Sequence, residues 1–436
     1  MRDVAAAAAM AGVFLVVYLP DIGHGFISDD FRWIVEGRSD SIGDLIALFG
    51  TNTGFYRPIV SWSFAADHAA WGSNPFGYGL TNLTLCMAAA AALFMLARRV
   101  RLPSSAALIT VGVWLFNFHA VNMAVLWLSG RTALLVSLFS LGTAHAILAG
   151  RSLLAGALAL LAMLSKEEAV ALPALFSVYT VLTERRVRGL VRTLPLWAAL
   201  GVYLGLRLQS GAFWATDAPS FYRFSFAPAL IGRNILEYAD RAGTVAAIVI
   251  VALVALTRLR LRDVTDGEKR VLLFAALWVT AMYALTLFLP VRSSLYALLP
   301  SVGTALAAGV VATAAARRSP RAFRYAAIGL LAALLALAPV YRSRNVRWVE
   351  LAELSERTMT TISQDATGRT AGHVVIVDAP GERFNLQSAF GALFPEAMRL
   401  QVGEGWTGEV VSTPSEAGRA GDLSYRLSNG GLVRTD

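Results

Sequence analysis

The sequence predicts an all-α polytopic membrane protein with a small C-terminal α/β extracytoplasmic module. Three observations predict it. Of 436 residues, 56% are hydrophobic and only 15% charged, and mean hydropathy is +0.57, so a soluble fold of this length would lack the polar surface it needs. Apolar runs near the length of a membrane span recur from residues 4–20 onward. Arginine clusters separate those runs, and past residue 345 the pattern changes to that of a small folded unit.

The net charge of +9 does not point to nucleic acid. Only Lys166 and Lys269 among the 38 basic residues are lysines, and most arginines sit between apolar runs rather than on one soluble face. Such clusters mark cytoplasmic loops and fix orientation. Placing Arg98-Arg99-Arg101, Arg151, Arg185-Arg186-Arg188-Arg192, Arg258-Arg260-Arg262 and Arg317-Arg318-Arg321-Arg324 inside gives about eleven transmembrane helices. They fall near 4–20, 79–97, 103–118, 124–149, 152–164, 168–183, 193–209, 232–256, 271–289, 294–315 and 325–341. The expected arrangement in the cytoplasmic (inner) membrane has the N-terminus inside and the C-terminal segment outside.

The first run shows no small-residue cleavage site before Asp21, so it reads as a retained helix rather than a leader. The single cysteine, Cys86, lies in an apolar run, which excludes an intrachain disulfide. Residues 1–345 form the expected transmembrane domain, including a first extracytoplasmic loop at 21–78, and 346–436 the small module. Within the loop, Arg57-Pro58 opens IVSWSFAADHAAW, a mixed-face helix suited to the interface, with proline in its first turn. From Arg151 to Lys166 is fifteen residues, about 22 Å of helix, short of the ~30 Å hydrocarbon layer. Lys166-Glu167-Glu168 is therefore expected in a recessed polar pocket. In the module, 346–363 has helical apolar spacing, HVVIVDAPG reads as a strand and Pro-Gly turn, and a helix near 386–394 and strands near 409–412 and 424–427 complete it.

This threading puts Asp29-Asp30, Arg57, His119, Arg131, Lys166-Glu167-Glu168 and Arg292-Tyr296 on the outer side. Each has a plainer reading. The aspartates suit a solvated loop, and Lys166-Glu167 an ion pair between helices. His119 suits a hydrogen-bonded helix end. Arg131 and Arg292 suit helix ends or interface anchors, and Trp33, Trp71 and Trp127 an aromatic belt. Asp378 reads as a turn residue.

The order FISDDFRWI, FYRPIVSWSFAADHAAWGSNPFGYGLTNL, FNFHAVNMAVLWLSGRTALL and LSKEEAVALP resembles the polytopic GT-C glycosyltransferases, nearest the TMTC, O-mannosyltransferase-like branch. The likeness covers about residues 10–185, is weaker around VRSSLYALLPSVG and is absent from the last ninety residues. It implies an outward pocket that takes a sugar from a polyprenyl-phosphate carrier and passes it, with inversion, to an extracytoplasmic protein, glycan or lipid acceptor. Asp29 matches the acid that serves as base or organises the acceptor, with Asp30 the neighbouring acid. Arg57 matches the basic residue of the R/K-P motif at the lipid phosphate, Lys166 a later basic residue, and Tyr296 a tyrosine near that phosphate. Arg292, one turn before Tyr296, is spaced for a joint phosphate contact. His119, Arg131, Glu167 and Glu168 would support the pocket. Similar chains often carry G-R-x-D-L-L where this one has Gly130-Arg131-Thr132-Ala133-Leu134-Leu135. That absent acid puts a second carboxylate or a metal in doubt, leaving Asp30 and Glu167 as candidate ligands of an optional divalent ion.

The roles suit the chemistry. A carboxylate takes the proton of an attacking hydroxyl, and cations stabilise the leaving phosphate. Two competing readings remain at this stage: a transporter or flippase of a lipid-linked or anionic substrate, and a non-catalytic GT-C scaffold. Paired halves with broken helices, expected of a transporter, are not evident.

Overall fold

The computed structural model describes residues 2–38, 41–51, 55–184, 187–212, 222–378, 385–412, 423–428 and 430–435. Arg185-Arg186 and the Pro380-Gly381 turn lie outside the described residues. Among those described, seven helical segments are long and apolar enough to cross a membrane. They contain α1 (Arg2–Tyr18), α5 (Pro75–Arg99), α8 (Arg131–Leu148), α11 (Leu194–Gln209), α12 (Pro228–Thr257), α14 (Ser301–Arg318) and α15 (Pro320–Ser343). The chain is a multi-pass membrane protein. The sequence count was about eleven. Of the other four segments, α6 (Ser104–Leu115) and α9 (Ser152–Met163) are apolar but have only 12 residues each, while α10 (Leu172–Glu184) and α13 (Asp266–Tyr283) do not meet the length and hydropathy of a span.

Local chemistry sets the helix ends. Asn74 accepts from the Phe76 amide at 3.1 Å and Pro75 opens α5, whose last turn holds Arg98 and Arg99. Thr265 and Glu268 form a reciprocal capping box on α13. The region expected as one span at 124–149 is broken instead. A short helix, α7 (Val121–Leu126), passes through a 3₁₀ turn at Leu128–Gly130 before α8 begins. Glycine at 130 permits this corner, since a Cβ there would stand 2.7 Å from the Ala124 Cα.

Helices α8 and α14 lie deep in the bundle, whereas α12 and α15 expose most of their surface to lipid. The arginine-rich ends meet one another: Arg317 binds Glu268 at 2.6 Å and Arg318 approaches Asp263 at 3.8 Å. At the opposite end α2 (Asp29–Gly37) packs on α4 (Pro58–Trp71), so closely that a Cβ on Gly37 would sit 2.9 Å from the Ala65 nitrogen. A short α3 (Ile42–Ala47) lies between them in sequence.

Beyond α15 the chain runs into α16 (Val346–Asp365), whose apolar face is buried as its spacing predicts. A four-stranded sheet follows, ordered β2-β1-β3-β4. Strand β1 (Gly372–Val377) pairs in parallel with β2 (Trp406–Val411) and β3 (Leu423–Ser428), and β4 (Gly431–Arg434) adds an antiparallel edge. Helices α17 (Leu386–Phe390) and α18 (Phe394–Gln401) join β1 to β2. The sequence reading had one helix at 386–394 and no fourth strand. Gly391, with φ +57°, splits the helix in two.

Candidate functional site

Asp29 and Asp30 open α2, where carboxylates suit the helix N-terminus. Their surroundings differ. Asp30 is fully buried: one oxygen accepts from the Ser129 amide at 2.7 Å and its hydroxyl at 2.5 Å, and the other from the Ile27 amide at 3.0 Å. Burial pushes its carboxyl up to about 7 while those hydrogen bonds pull the other way. Asp30 therefore fastens α2 to the corner before α8 and is no free catalytic group. Asp29 is half-buried, and burial raises it above the ordinary carboxylate value against the fields of Arg32 and Arg57.

Arg57 caps the start of α4 and lies 4.4 Å over the Phe55 ring. Its guanidinium donates to Glu167, with Nη2 at 2.8 Å and Nε at 3.3 Å from both carboxylate oxygens. Glu167 and Glu168 begin the 3₁₀ turn Glu167–Ala171 between α9 and α10. Lys166 is buried, makes an ion pair with Glu168 at 2.7 Å and stands 4.9 Å over the Tyr296 ring. The expected partner in this triplet was Glu167; the structure pairs Lys166 with Glu168 and gives Glu167 to Arg57. Tyr222, which sequence reasoning missed, feels the charges of Asp29, Arg57 and Glu167 together. An aromatic-basic pair, Tyr222-Arg223, between two apolar runs was the available signal.

The structure thus gathers Asp29, Arg57, Lys166, Glu167, Glu168 and Tyr296 at one end of the bundle. It draws three other expected residues elsewhere. Arg131 is fully buried, pairs with Asp67 at 2.5 Å and donates to Asn82, Ser63 and the Tyr78 carbonyl. Arg292 pairs with Glu237, which also holds Arg233 and Arg241. His119 lies 3.9 Å from Asp240. Of the tryptophans expected in a belt, Trp33 is instead buried against Phe64.

The residues named for a divalent ion do not fit one. Asp30 spends its oxygens on Ser129 and Ile27, Glu167 faces Arg57, and no group of three or more His, Cys, Asp or Glu converges among the described residues. A cavity of about 670 Å³ opens between α1, α6, α12 and α15. Its wall is mostly apolar, with Asp3, Arg324 and Arg344 as its charged lining, and includes none of the gathered residues.

No family model matches the chain. Over 147 residues it is 31% identical to Protein O-mannosyl-transferase Tmtc1 of Drosophila melanogaster, a match covering 30% of this chain and 17% of that protein. The chain thus spans about a sixth of the curated relative it matches. A crystal structure of the Archaeoglobus fulgidus oligosaccharyltransferase, tethered with an acceptor peptide, superimposes with a TM-score of 0.50 over 96% of this chain and 64% of that one, at 11% identity. The fold is of the GT-C class. ArnT from Cupriavidus metallidurans bound to undecaprenyl phosphate gives a TM-score of 0.47 at 17% identity, covering 83% of this chain and 72% of that one. Within the GT-C fold described here, the gathered residues lie where the first loop, the α9–α10 turn and the segment before α14 meet.

Proposed function

We propose that the chain is a GT-C glycosyltransferase that moves a sugar from a polyprenyl-phosphate donor to a hydroxyl of an extracytoplasmic acceptor. One observation carries the reading: a half-buried carboxylate, Asp29, lies in the field of Arg57, next to a buried Lys166 over the Tyr296 ring. The mannosyl transfer in the name of the Drosophila relative supports the same reaction class. In the proposed step the acceptor oxygen bonds to the anomeric carbon and its proton passes to Asp29. The bond from that carbon to the phosphate oxygen breaks, and the phosphate leaves with the electron pair. Arg57 and Lys166 meet the charge that builds on it. Both cations already hold carboxylates, Glu167 and Glu168, so an arriving phosphate competes for them. The isoprenoid chain stays in lipid, and the GT-C end carrying the site faces away from the cytoplasm.

The test incubates the purified chain in lipid with a panel of polyprenyl-phosphate sugars, comparing wild type with Asp29→Asn. Turnover of one donor, lost in the variant, is expected. Turnover that survives removes Asp29 as base. Donor that binds but is never consumed, even with a membrane extract supplying acceptor hydroxyls, overturns the enzymatic reading in favour of a transporter or a binding scaffold.

A further inference from the structure

Ser28, immediately before Asp29, adopts φ 49° and ψ −125°. That lies outside the left-handed helical well, in a region a non-glycine residue holds only when its surroundings impose it. The imposing contacts come from the far end of the chain. The Ser28 amide donates to the Ala389 carbonyl of α17 at 2.7 Å. Phe31, on the first turn of α2, stacks on Phe390 with centroids 5.7 Å apart and planes 27° apart, and neither ring is exposed. At the other end of α2, Arg38 donates to the Leu400 carbonyl of α18 at 3.1 Å and pairs with Glu404 at 3.6 Å. Helix α17 is itself pinned: Asp378, just past β1, accepts from the Leu386 and Gln387 amides at 3.2 and 3.1 Å.

A line of contacts therefore runs from the sheet through Asp378 to α17, from Ala389 to Ser28, and so to Asp29. We propose that the C-terminal α/β layer is the positioning device for Asp29, with Asp378 and Phe390 as positioning residues that keep Ser28 in its strained conformation. The layer sets the aim of the base without contributing a group to the reaction. Arg57 and Lys166 belong to α4 and the α9–α10 turn, which these contacts do not touch directly, so donor binding should depend on the layer less than turnover does. The inference rests on the reading of Asp29 as base.

The experiment uses the full chain in lipid nanodiscs, with Asp378→Asn and Phe390→Leu made separately. Undecaprenyl-phosphate mannose is the donor, with a membrane extract supplying acceptor hydroxyls. Amide hydrogen exchange at residues 28–31 is followed alongside kcat, donor KM and the pH profile. Both variants are expected to speed Ser28 exchange and to lower kcat about tenfold or more, the scale on which small misplacements act. Donor KM should stay nearly unchanged, and the acid limb of the profile should move as Asp29 changes its surroundings. Loss of folded protein alone would scale down active enzyme and leave that limb in place. Phe390 is a core residue; if its variant does not fold, Asp378→Asn decides. Unchanged Ser28 exchange overturns the proposal, and so does faster exchange with kcat and the acid limb intact. Turnover in Asp29→Asn would sink the base assignment instead, while exchange in the other two variants still reports on the clamp.

Discussion

Asp29 and Asp30 are adjacent in sequence and separate in what they do. Asp30 satisfies two backbone amides and a hydroxyl in a dry place, so Asp30→Ala orphans three donors. We expect a loss of about 3 kcal/mol, the donors' desolvation outweighing the relief of a buried charge, read by chemical unfolding. Asp29→Asn should leave unfolding nearly unchanged while turnover disappears. The two acids were legible as a pair, but their division of labour was not, because the Ser129 that claims Asp30 lies 99 residues along. Acidity gives a further test. Burial raises Asp29, and Arg32 and Arg57 restrain that rise. A base works only when ionised, so kcat/KM should fall as pH drops through the raised value. Removing the Arg57 charge with Arg57→Gln should move that acid limb to higher pH, whatever it does to donor binding. A limb that stays put would show that Arg57 exerts no field on the base.

The short α9 fits the burial of charge at its end: 12 residues rise only about 18 Å, and Lys166 and Glu168 lie buried in the protein. There each is the other's counter-ion. Glu168→Gln should cost roughly 3–5 kcal/mol, because it strands a buried ammonium with little besides the Tyr296 ring. The double variant Lys166→Met/Glu168→Leu should recover most of that loss in an unfolding assay yet remain inactive. Recovery of activity in the double variant would show that Lys166 has no part at the phosphate. A charged turn at the end of a short helix could be read from the sequence. Which glutamate took which cation could not, since Arg57 reaches Glu167 across 110 residues. Arg131 misled for a similar reason. It looks like a pocket arginine at a helix start, but Asp67, Asn82 and Ser63 draw it into the contact between α4, α5 and α8.

At the scale of the molecule, arginine spacing and apolar runs were enough to read a membrane bundle with a small mixed module after it. They could not show that α17 and α18 grip α2, because that contact joins segments about 360 residues apart and leaves no local pattern. The proposed orientation follows from charge: Arg98, Arg99, Arg151, Arg317 and Arg318 lie toward the end opposite Asp29, and a positive excess is retained in the cytoplasm. Two exposed positions test it. Leu261 follows α12 among the arginines and is 90% exposed, and Ser363 is exposed on α16. Cys86 is buried and is the only thiol, so Cys86→Ser gives a clean background. In intact cells a membrane-impermeant maleimide should label Ser363→Cys and spare Leu261→Cys until the membrane is opened. The reverse pattern would turn Asp29, Arg57 and Lys166 toward the cytoplasm. The acceptor would then have to be cytoplasmic, and the arginine clusters would have to cross the membrane against their charge preference.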